Sequence, residues 1–300
     1  MKTVFITGGT GFIGTELIKS LLKQNTNVVC YGRNIEKIKK KFGNTVIATT
    51  SFDFDNIDYV IHAACPTESK TLSKEPVEVI DTIYTLTKES LELAKRNNAR
   101  YIYLSSMEVY DNLNGKVDEN VQGTFNLNNS RSSYPVAKQL SELLVNSYKN
   151  EYNLNTCILR LSQIFGPGTS KNDNRLFNYV IKQCIENKDI VLKTLGDKLQ
   201  NTCYIEDAIY FIINILFSNV NGTINITNED YCASINDLVE KIIKILNSNN
   251  KLIHELDTEN YPPSSKHIIS GEKLKKMFPT YKKETFENAI IKTKNYLTNL

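Results

Sequence analysis

The run Thr3-Val4-Phe5-Ile6-Thr7-Gly8-Gly9-Thr10-Gly11-Phe12-Ile13-Gly14 constrains this chain more than any other segment. A β-prone stretch ends on glycines, and the residues that follow place Ile13, Leu17, Ile18, Leu21 and Leu22 on one helical stripe. Glycine spacing alone is a weak signal, but a strand-to-helix setting makes it specific for a dinucleotide site. Gly8 permits the tight turn, Gly11 lets the backbone approach a pyrophosphate at the positive helix end, and Gly14 lets the helix pack on the strand. Phe12 and Ile13 open the helix beside that phosphate. A triphosphate loop would need Gly-Lys-Ser/Thr, and Gly14-Thr15-Glu16 supplies no lysine.

Strand and helix patterns alternate through the first half, at Thr3 to Thr7, Phe12 to Lys23, Asn27 to Tyr31, Tyr59 to Ala63, Val77 to Ala94 and Tyr101 to Leu104. This predicts an α/β, Rossmann-type doubly wound parallel sheet. A second helical stripe holds Ile80, Ile83, Thr87, Leu91 and Ala94. One crossover has no room for a helix, because few residues separate a strand ending near Phe54 from the next, starting near Ile57. After Gly166-Pro167-Gly168 the alternation loosens. The division expected is a cofactor domain at 1–165, with 203–228 returning to it, and a small mixed α/β substrate region at 166–202 and 229–300.

Composition excludes several classes. The 36 basic and 33 acidic residues are spread along the chain for a net +3, which leaves no footprint for nucleic acid. The one dense basic run, Lys37 to Lys41, reads as a solvated helix face. Cys30, Cys65, Cys157, Cys184, Cys203 and Cys232 lack any C-x-x-C spacing and read as buried free thiols in a reducing compartment. No metal site is expected. Ile209 to Phe217, the longest apolar stretch, is far too short to span a bilayer. With no signal-peptide pattern at the start, the expected location is cytoplasmic.

Folds of this kind that prefer NAD carry an acidic residue at the end of the second strand. Here Val29-Cys30-Tyr31-Gly32-Arg33-Asn34 places glycine and then arginine. The guanidinium can pair with a 2′-phosphate that an acid would repel, so NADP is favoured over NAD. The alternative is that Arg33 merely lies exposed near the adenine.

Tyr134 and Lys138 stand one helical turn apart in Ser133-Tyr134-Pro135-Val136-Ala137-Lys138. A neighbouring ammonium favours the phenolate and is expected to lower the tyrosine pKa. Ser106, at the carboxyl end of a parallel strand, can hydrogen-bond the same reacting oxygen. The three together could move a proton off a carbinol while its hydride goes to a nicotinamide.

These segments resemble the extended short-chain dehydrogenase/reductase family, the NAD(P)-dependent nucleotide-sugar epimerase/dehydratase group. The resemblance runs through the glycine turn, His62-Ala63-Ala64, Leu104-Ser105-Ser106, Tyr134-x-x-x-Lys138, and Leu159-Arg160-Leu161 leading into Phe165-Gly166-Pro167-Gly168. It implies that Tyr134 is the acid/base and that Lys138 also holds the nicotinamide ribose. It implies a homodimer through the helices containing Val77 to Ala94 and Ser133 to Tyr148; no membrane partner is expected, because the apolar stretches are short. Along the cofactor it places Arg33, Asn34, Asp53, Phe54, Ala63, Ala64, Ser105 and Leu161. Along a nucleotide-diphosphate sugar it places Thr67, Ser106, Glu108, Gln163 and Arg175.

Glu108 stands where members that process a 4-keto sugar further carry a glutamate. Met107 cannot donate a proton to a leaving hydroxyl, which disfavours dehydration. The stretch Asn172-Asp173-Asn174-Arg175-Leu176-Phe177, with Gly196 and Tyr204-Ile205-Glu206-Asp207, resembles the UDP-glucuronate decarboxylase branch. The chain departs from that branch at Gln200, where an arginine is expected, and at Gln163, where asparagine is usual. The resulting expectation is an epimerase or decarboxylase acting through a 4-keto intermediate. The alternatives are an NADPH-dependent keto-sugar reductase, a 4,6-dehydratase, or a dinucleotide-sensing protein without catalysis.

Overall fold

A computed structural model describes residues 1–67, 69–170, 172–256 and 266–300. Seven strands form one sheet in the order Gly222–Ile226, Thr156–Leu161, Arg100–Ser106, Tyr59–His62, Thr3–Thr7, Asn27–Tyr31, Ile47–Thr49. Neighbouring strands from Thr156–Leu161 through to Ile47–Thr49 pair in parallel. Strands covered on both faces need unbroken apolar runs, and Val4 to Ile6 and Tyr101 to Leu104 are all buried. Strand order reverses between Thr3–Thr7 and Tyr59–His62. At such a switch point the loops beyond the strand ends part and leave a crevice for ligands.

The first helix forms at Phe12–Lys23 and buries Gly14, Thr15, Leu17, Ile18 and Leu21. The helix Pro76–Asn97 buries Val79, Ile83, Thr87, Leu91 and Ala94, so Val79 takes the place expected for Ile80, which is exposed. The four-residue step from Val79 to Ile83 to Thr87 keeps that face on the sheet, and Ile80 is rotated away from it.

The strand expected to end near Phe54 ends at Thr49. Phe52 and Phe54 alternate as strand residues do, yet they pack from irregular backbone. Phe52 lies 4.1 Å from Tyr31 and 5.5 Å from Phe5, ring centre to ring centre. Their carbonyls accept from Arg96 and Asn97, which replaces the hydrogen bonds a strand would supply.

The chain divides into two compact units. The first contains 1–111, 122–161 and 209–224, and the second 112–121, 162–208 and 225–300. The boundaries depart from the sequence reading where local pairing decides. Asn114–Val117 joins the second unit by pairing with Lys266–Ile269, and Gln163–Phe165 does so by pairing with Thr202–Tyr204.

In the first unit, Arg160 and Glu142 form an ion pair with both side chains 2% exposed. Arg160 Nη2 donates to Glu142 Oε2 at 2.7 Å and Nε to Oε1 at 3.0 Å. Ser105 Oγ donates to Oε1 at 2.6 Å, and Arg160 Nη1 donates to the Tyr110 hydroxyl at 2.8 Å. Burial alone would lower the Arg160 pKa, but Glu142 and Tyr110 hold it above its ordinary value. The network ties the helix Ser133–Tyr152 to the strands Arg100–Ser106 and Thr156–Leu161.

Glu142→Gln leaves a buried guanidinium without its counter-charge. The expected loss in denaturant unfolding is about 3–5 kcal/mol. The double replacement Glu142→Leu with Arg160→Met removes both charges and is expected to recover much of that loss in the same measurement.

Candidate active site

The glycine turn is a cradle that side chains would fill. A Cβ on Gly8, whose φ is +72°, would lie 2.7 Å from the Ala63 carbonyl carbon and the Ala64 nitrogen. One on Gly14 would overlap the Gly8 carbonyl. At Gly11, the N-cap of the first helix, an added Cβ meets only the Gly8 oxygen, at 3.3 Å, so this face is left open. Two glycines serve close packing and the third keeps the helix end accessible, which is what a pyrophosphate at that end requires. Phe12 and Ile13 are half-buried at the start of the helix.

Thr7 binds the turn to the neighbouring strand. Its hydroxyl oxygen accepts from the Ala63 and Ala64 amides at 3.2 and 3.1 Å and contacts His62 Nδ1 at 2.7 Å. With two amides already donating, the Thr7 hydrogen must go to Nδ1, which assigns the His62 proton to Nε2. Nε2 then donates to Thr87 Oγ1 at 3.2 Å, and Thr87 donates to the Ile83 carbonyl at 2.6 Å. Burial, and to a smaller extent Lys138, holds the His62 pKa down at about 3. Its ring stacks on Tyr103 with centres 5.6 Å apart.

Tyr134 and Lys138 project from successive turns of the helix Ser133–Tyr152, 7% and 3% exposed. Lys138 Nζ lies 6.0 Å from the Tyr134 ring centre and 4.8 Å from that of Tyr103, and donates to the Leu104 carbonyl at 2.9 Å. Burial would lower the Lys138 pKa, but Cys65, Tyr103 and Tyr134 around it hold it above its ordinary value.

The expected lowering of the Tyr134 pKa is corrected by burial. Desolvation pushes the phenol up, charge on Cys65 and Glu108 adds to that, and Lys138 and the Ser106 hydroxyl only partly oppose it. Tyr134 therefore holds its proton and presents a donor to an oxygen placed beside Ser106. Taking a proton there would need further positive charge.

Ser106 caps a short 3-10 helix, Met107–Tyr110, by accepting from the Glu108 amide at 3.2 Å. Glu108, expected as a carboxylate at the sugar, accepts from Arg131 Nη2 at 2.8 Å. The Arg131 guanidinium carbon lies 5.8 Å from the Tyr134 ring centre. Sequence reasoning missed Arg131, three residues before Tyr134, although its charge and position were available as signals.

Other expected residues are placed differently. The Ser105 hydroxyl is directed onto Glu142. The Asn34 side chain caps the helix Ile35–Phe42 by accepting from the Lys37 amide. Arg33, Asp53 and Thr67 are exposed, Phe54 is half-buried and Leu161 is buried at a strand end. In the second unit, the Arg175 side chain lies on Asp173 at 2.6 Å, and Gln163 starts a short strand. All six cysteines are free, but Cys65 and Cys232 are only partly buried, contrary to expectation, because each lies in a loop segment.

The basic run also does more than face solvent. Lys41 Nζ reaches the Thr10 carbonyl in the glycine turn at 3.2 Å. Burial lowers its pKa first, and the nearby charges of Lys19 and Lys37 lower it further. Among the described residues there is no group able to hold a metal ion and no helix long and apolar enough to cross a membrane.

The chain matches the NAD dependent epimerase/dehydratase family over residues 4–227. It is 28% identical over 281 residues to UDP-glucuronic acid decarboxylase 3 of Arabidopsis thaliana, covering 90% of this chain and 82% of that protein. It is 27% identical over 314 residues to a UDP-N-acetyl-alpha-D-glucosaminuronate decarboxylase of Bacillus cytotoxicus, covering 97% and 96%. Among solved structures, UDP-glucuronic acid 4-epimerase from Bacillus cereus, in complex with UDP-glucuronic acid and NAD, superposes with a TM-score of 0.84 at 22% identity over 99% of each chain. That likeness is one of fold.

The His62 network has a pH signature. An unfolded histidine binds a proton below its ordinary pKa of 6.5, and the folded one does so only near 3. Stability from this group is thus complete above pH 6.5 and is lost as pH falls toward 3, by at most about 1.4 kcal/mol per pH unit. Denaturant unfolding between pH 4 and 7 is expected to show this slope in the native chain and to lack it in His62→Asn.

Proposed function

This chain belongs to the NAD-dependent epimerase/dehydratase family, and from that premise we propose that it modifies a nucleotide-diphosphate sugar through a 4-keto intermediate with Tyr134 as the acid/base. The chain is an enzyme of the extended short-chain dehydrogenase/reductase class. The observation that carries the reading is the gathering of Tyr134, Lys138 and Ser106 at the carboxyl end of the strand Arg100–Ser106, linked through Tyr103 and His62 to the glycine turn.

The open face at Gly11 and the packed glycines fit a nicotinamide dinucleotide, with Gly8, Gly11 and Gly14 at the pyrophosphate and Lys138 at the nicotinamide ribose. A bound coenzyme would supply the acceptor and donor of a hydride and, in its oxidised form, positive charge at the site. Ser106 holds the C4 oxygen beside the phenol. Lys138 steadies the Tyr134 phenolate, which takes the proton of the C4 hydroxyl as the hydride leaves C4 and returns it to the C4 oxygen when the ketone is reduced. Glu108, beside them, serves the C5 side of the sugar. The relatives that decarboxylate acidic UDP-sugars support an epimerase or decarboxylase outcome.

A homodimer through the helices Pro76–Asn97 and Ser133–Tyr152 belongs to the same reading. These helices present Ile80, Tyr84, Leu140 and Leu143 outward.

A second reading, an NADPH-consuming keto-sugar reductase, rests on Arg33 and on the cations around Lys41. Both favour a coenzyme with an extra phosphate. At Gly32 no carboxylate opposes it, and a Cβ there would lie 3.2 Å from Ile38 Cδ1.

Incubating the purified chain with UDP-sugars, with and without NADPH, and following mass separates the outcomes. Loss of carbon dioxide marks decarboxylation, an isomer of unchanged mass marks epimerisation, and gain of hydrogen with NADPH consumed mole for mole marks reduction. In Tyr134→Phe, turnover is expected to fall by at least about a hundredfold with sugar-nucleotide binding retained. Full activity in that variant would overturn the enzyme reading at this site.

Arg33→Ala and Lys41→Ala are expected to weaken NADP binding by about tenfold each, the scale of one charge-assisted contact, and to leave NAD binding within about twofold. Coenzyme titration by fluorescence measures both. Equal losses for the two coenzymes would remove the preference for NADP.

A further inference from the structure

Resting on the reading of Lys138 as the residue that steadies the Tyr134 phenolate, we propose that Tyr103 is a positioning residue for the acid/base, the face of its ring holding the Lys138 ammonium charged and in place. Tyr103 lies in the strand Arg100–Ser106, where alternate side chains face the same way. With Tyr101 it enters one buried cluster that includes Val145 and Tyr148 of the helix Ser133–Tyr152. There it meets Lys138 of the same helix, whose Nζ stands over the ring, 4.8 Å from its centre.

An ammonium only 3% exposed has given up its water and must be compensated within the protein. Lys138 Nζ donates to the Leu104 carbonyl at 2.9 Å, which uses one of its three donors. Besides Tyr103, the titratable groups that feel its charge are Tyr134 on its own helix, Tyr101 on the strand Arg100–Ser106, and His62 and Cys65 at the end of the neighbouring strand. Burial pushes the three phenols and the Cys65 thiol up and holds His62 down, so all five are uncharged at neutral pH. Glu108, whose charge reaches Tyr134 and Cys65, is engaged by Arg131 at 2.8 Å. The negative face of the Tyr103 ring is then the electrostatic partner of the ammonium, and such a contact is at its strongest away from water.

The two strand tyrosines differ in what their hydroxyls do. The Tyr101 hydroxyl shares a hydrogen bond with Ser90 at 2.9 Å, whereas the buried Tyr103 hydroxyl has no partner of hydrogen-bond geometry among the described residues. The site uses the ring of Tyr103 and not its hydroxyl. Holding Lys138 charged matters because Lys138 and Ser106 are what oppose the burial of the Tyr134 phenol.

The test compares the full native chain with Tyr103→Phe, which keeps the ring face, and with Tyr103→Met and Tyr103→Leu, which remove it at two different side-chain volumes. With lysines isotope-labelled at Cε, nuclear magnetic resonance follows Lys138 through a pH titration, its signal identified by its loss in Lys138→Gln. The native chain and Tyr103→Phe are expected to keep the Lys138 proton past the pH at which surface lysines release theirs. Tyr103→Met and Tyr103→Leu are expected to release it about one pH unit or more earlier, the scale of a desolvated cation–ring contact. With a UDP-sugar that the chain turns over, kcat in Tyr103→Met should fall on the alkaline side about one pH unit earlier, with KM within about twofold of native and Tyr103→Phe following the native profile. Release of the Lys138 proton at one pH in all four chains, or an equal shift in Tyr103→Phe and Tyr103→Met, overturns the assignment. Turnover of no UDP-sugar by the native chain overturns the function proposed above, and the titration then still decides whether the ring holds the ammonium.

Discussion

The buried pair between Arg160 and Glu142 is the constraint on which the site depends. A guanidinium and a carboxylate withdrawn from water tolerate little misalignment, because a displaced partner leaves an uncompensated charge in the interior. Glu142 lies one helical turn beyond Lys138, so fixing its carboxylate against Arg160 and Ser105 fixes the rotation and height of the helix on the sheet. Tyr134 and Lys138 inherit that placement. Ser105 and Ser106 are adjacent in one strand but divide their work, the first holding the helix through Glu142 and the second facing the phenol.

Burial then sets the chemistry of what has been placed. Lys138 is close enough to pull the Tyr134 pKa down, yet the loss of water around the phenol outweighs it. The same desolvation keeps His62 neutral, and a neutral ring can accept from Thr7 and donate to Thr87 at once. A charged imidazolium would lose the acceptor and strand the Thr7 hydroxyl. The strand end that carries Ala63 and Ala64 is thus locked to the glycine turn by a tautomer that depends on the absence of water.

Charge at the open edge of the site follows a different rule. Glu108 and Arg131 are partly exposed, so they can exchange partners at small cost, as can the cations near the glycine turn. The Arg160–Glu142 pair is buried and bidentate, whereas water still reaches the Glu108–Arg131 pair.

The glycine turn, the amphipathic helix after it, the parallel strands and the Tyr134-x-x-x-Lys138 spacing were all legible in the sequence, because each depends on local periodicity or on a backbone geometry that only glycine allows. Partners brought together across long separations were not. Nothing in the order of residues announces that Ser105 serves Glu142, that Arg131 meets Glu108, or that Lys41 returns to Thr10. Phe52 and Phe54 imitate a strand, and only packing against Tyr31 and Phe5 reveals that they are not one. By itself the sequence determined which backbone could form and which side chains could react. The tertiary structure decided which of them lie in water, and with that their protonation and their partners, because desolvation belongs to the folded surroundings and not to the residue.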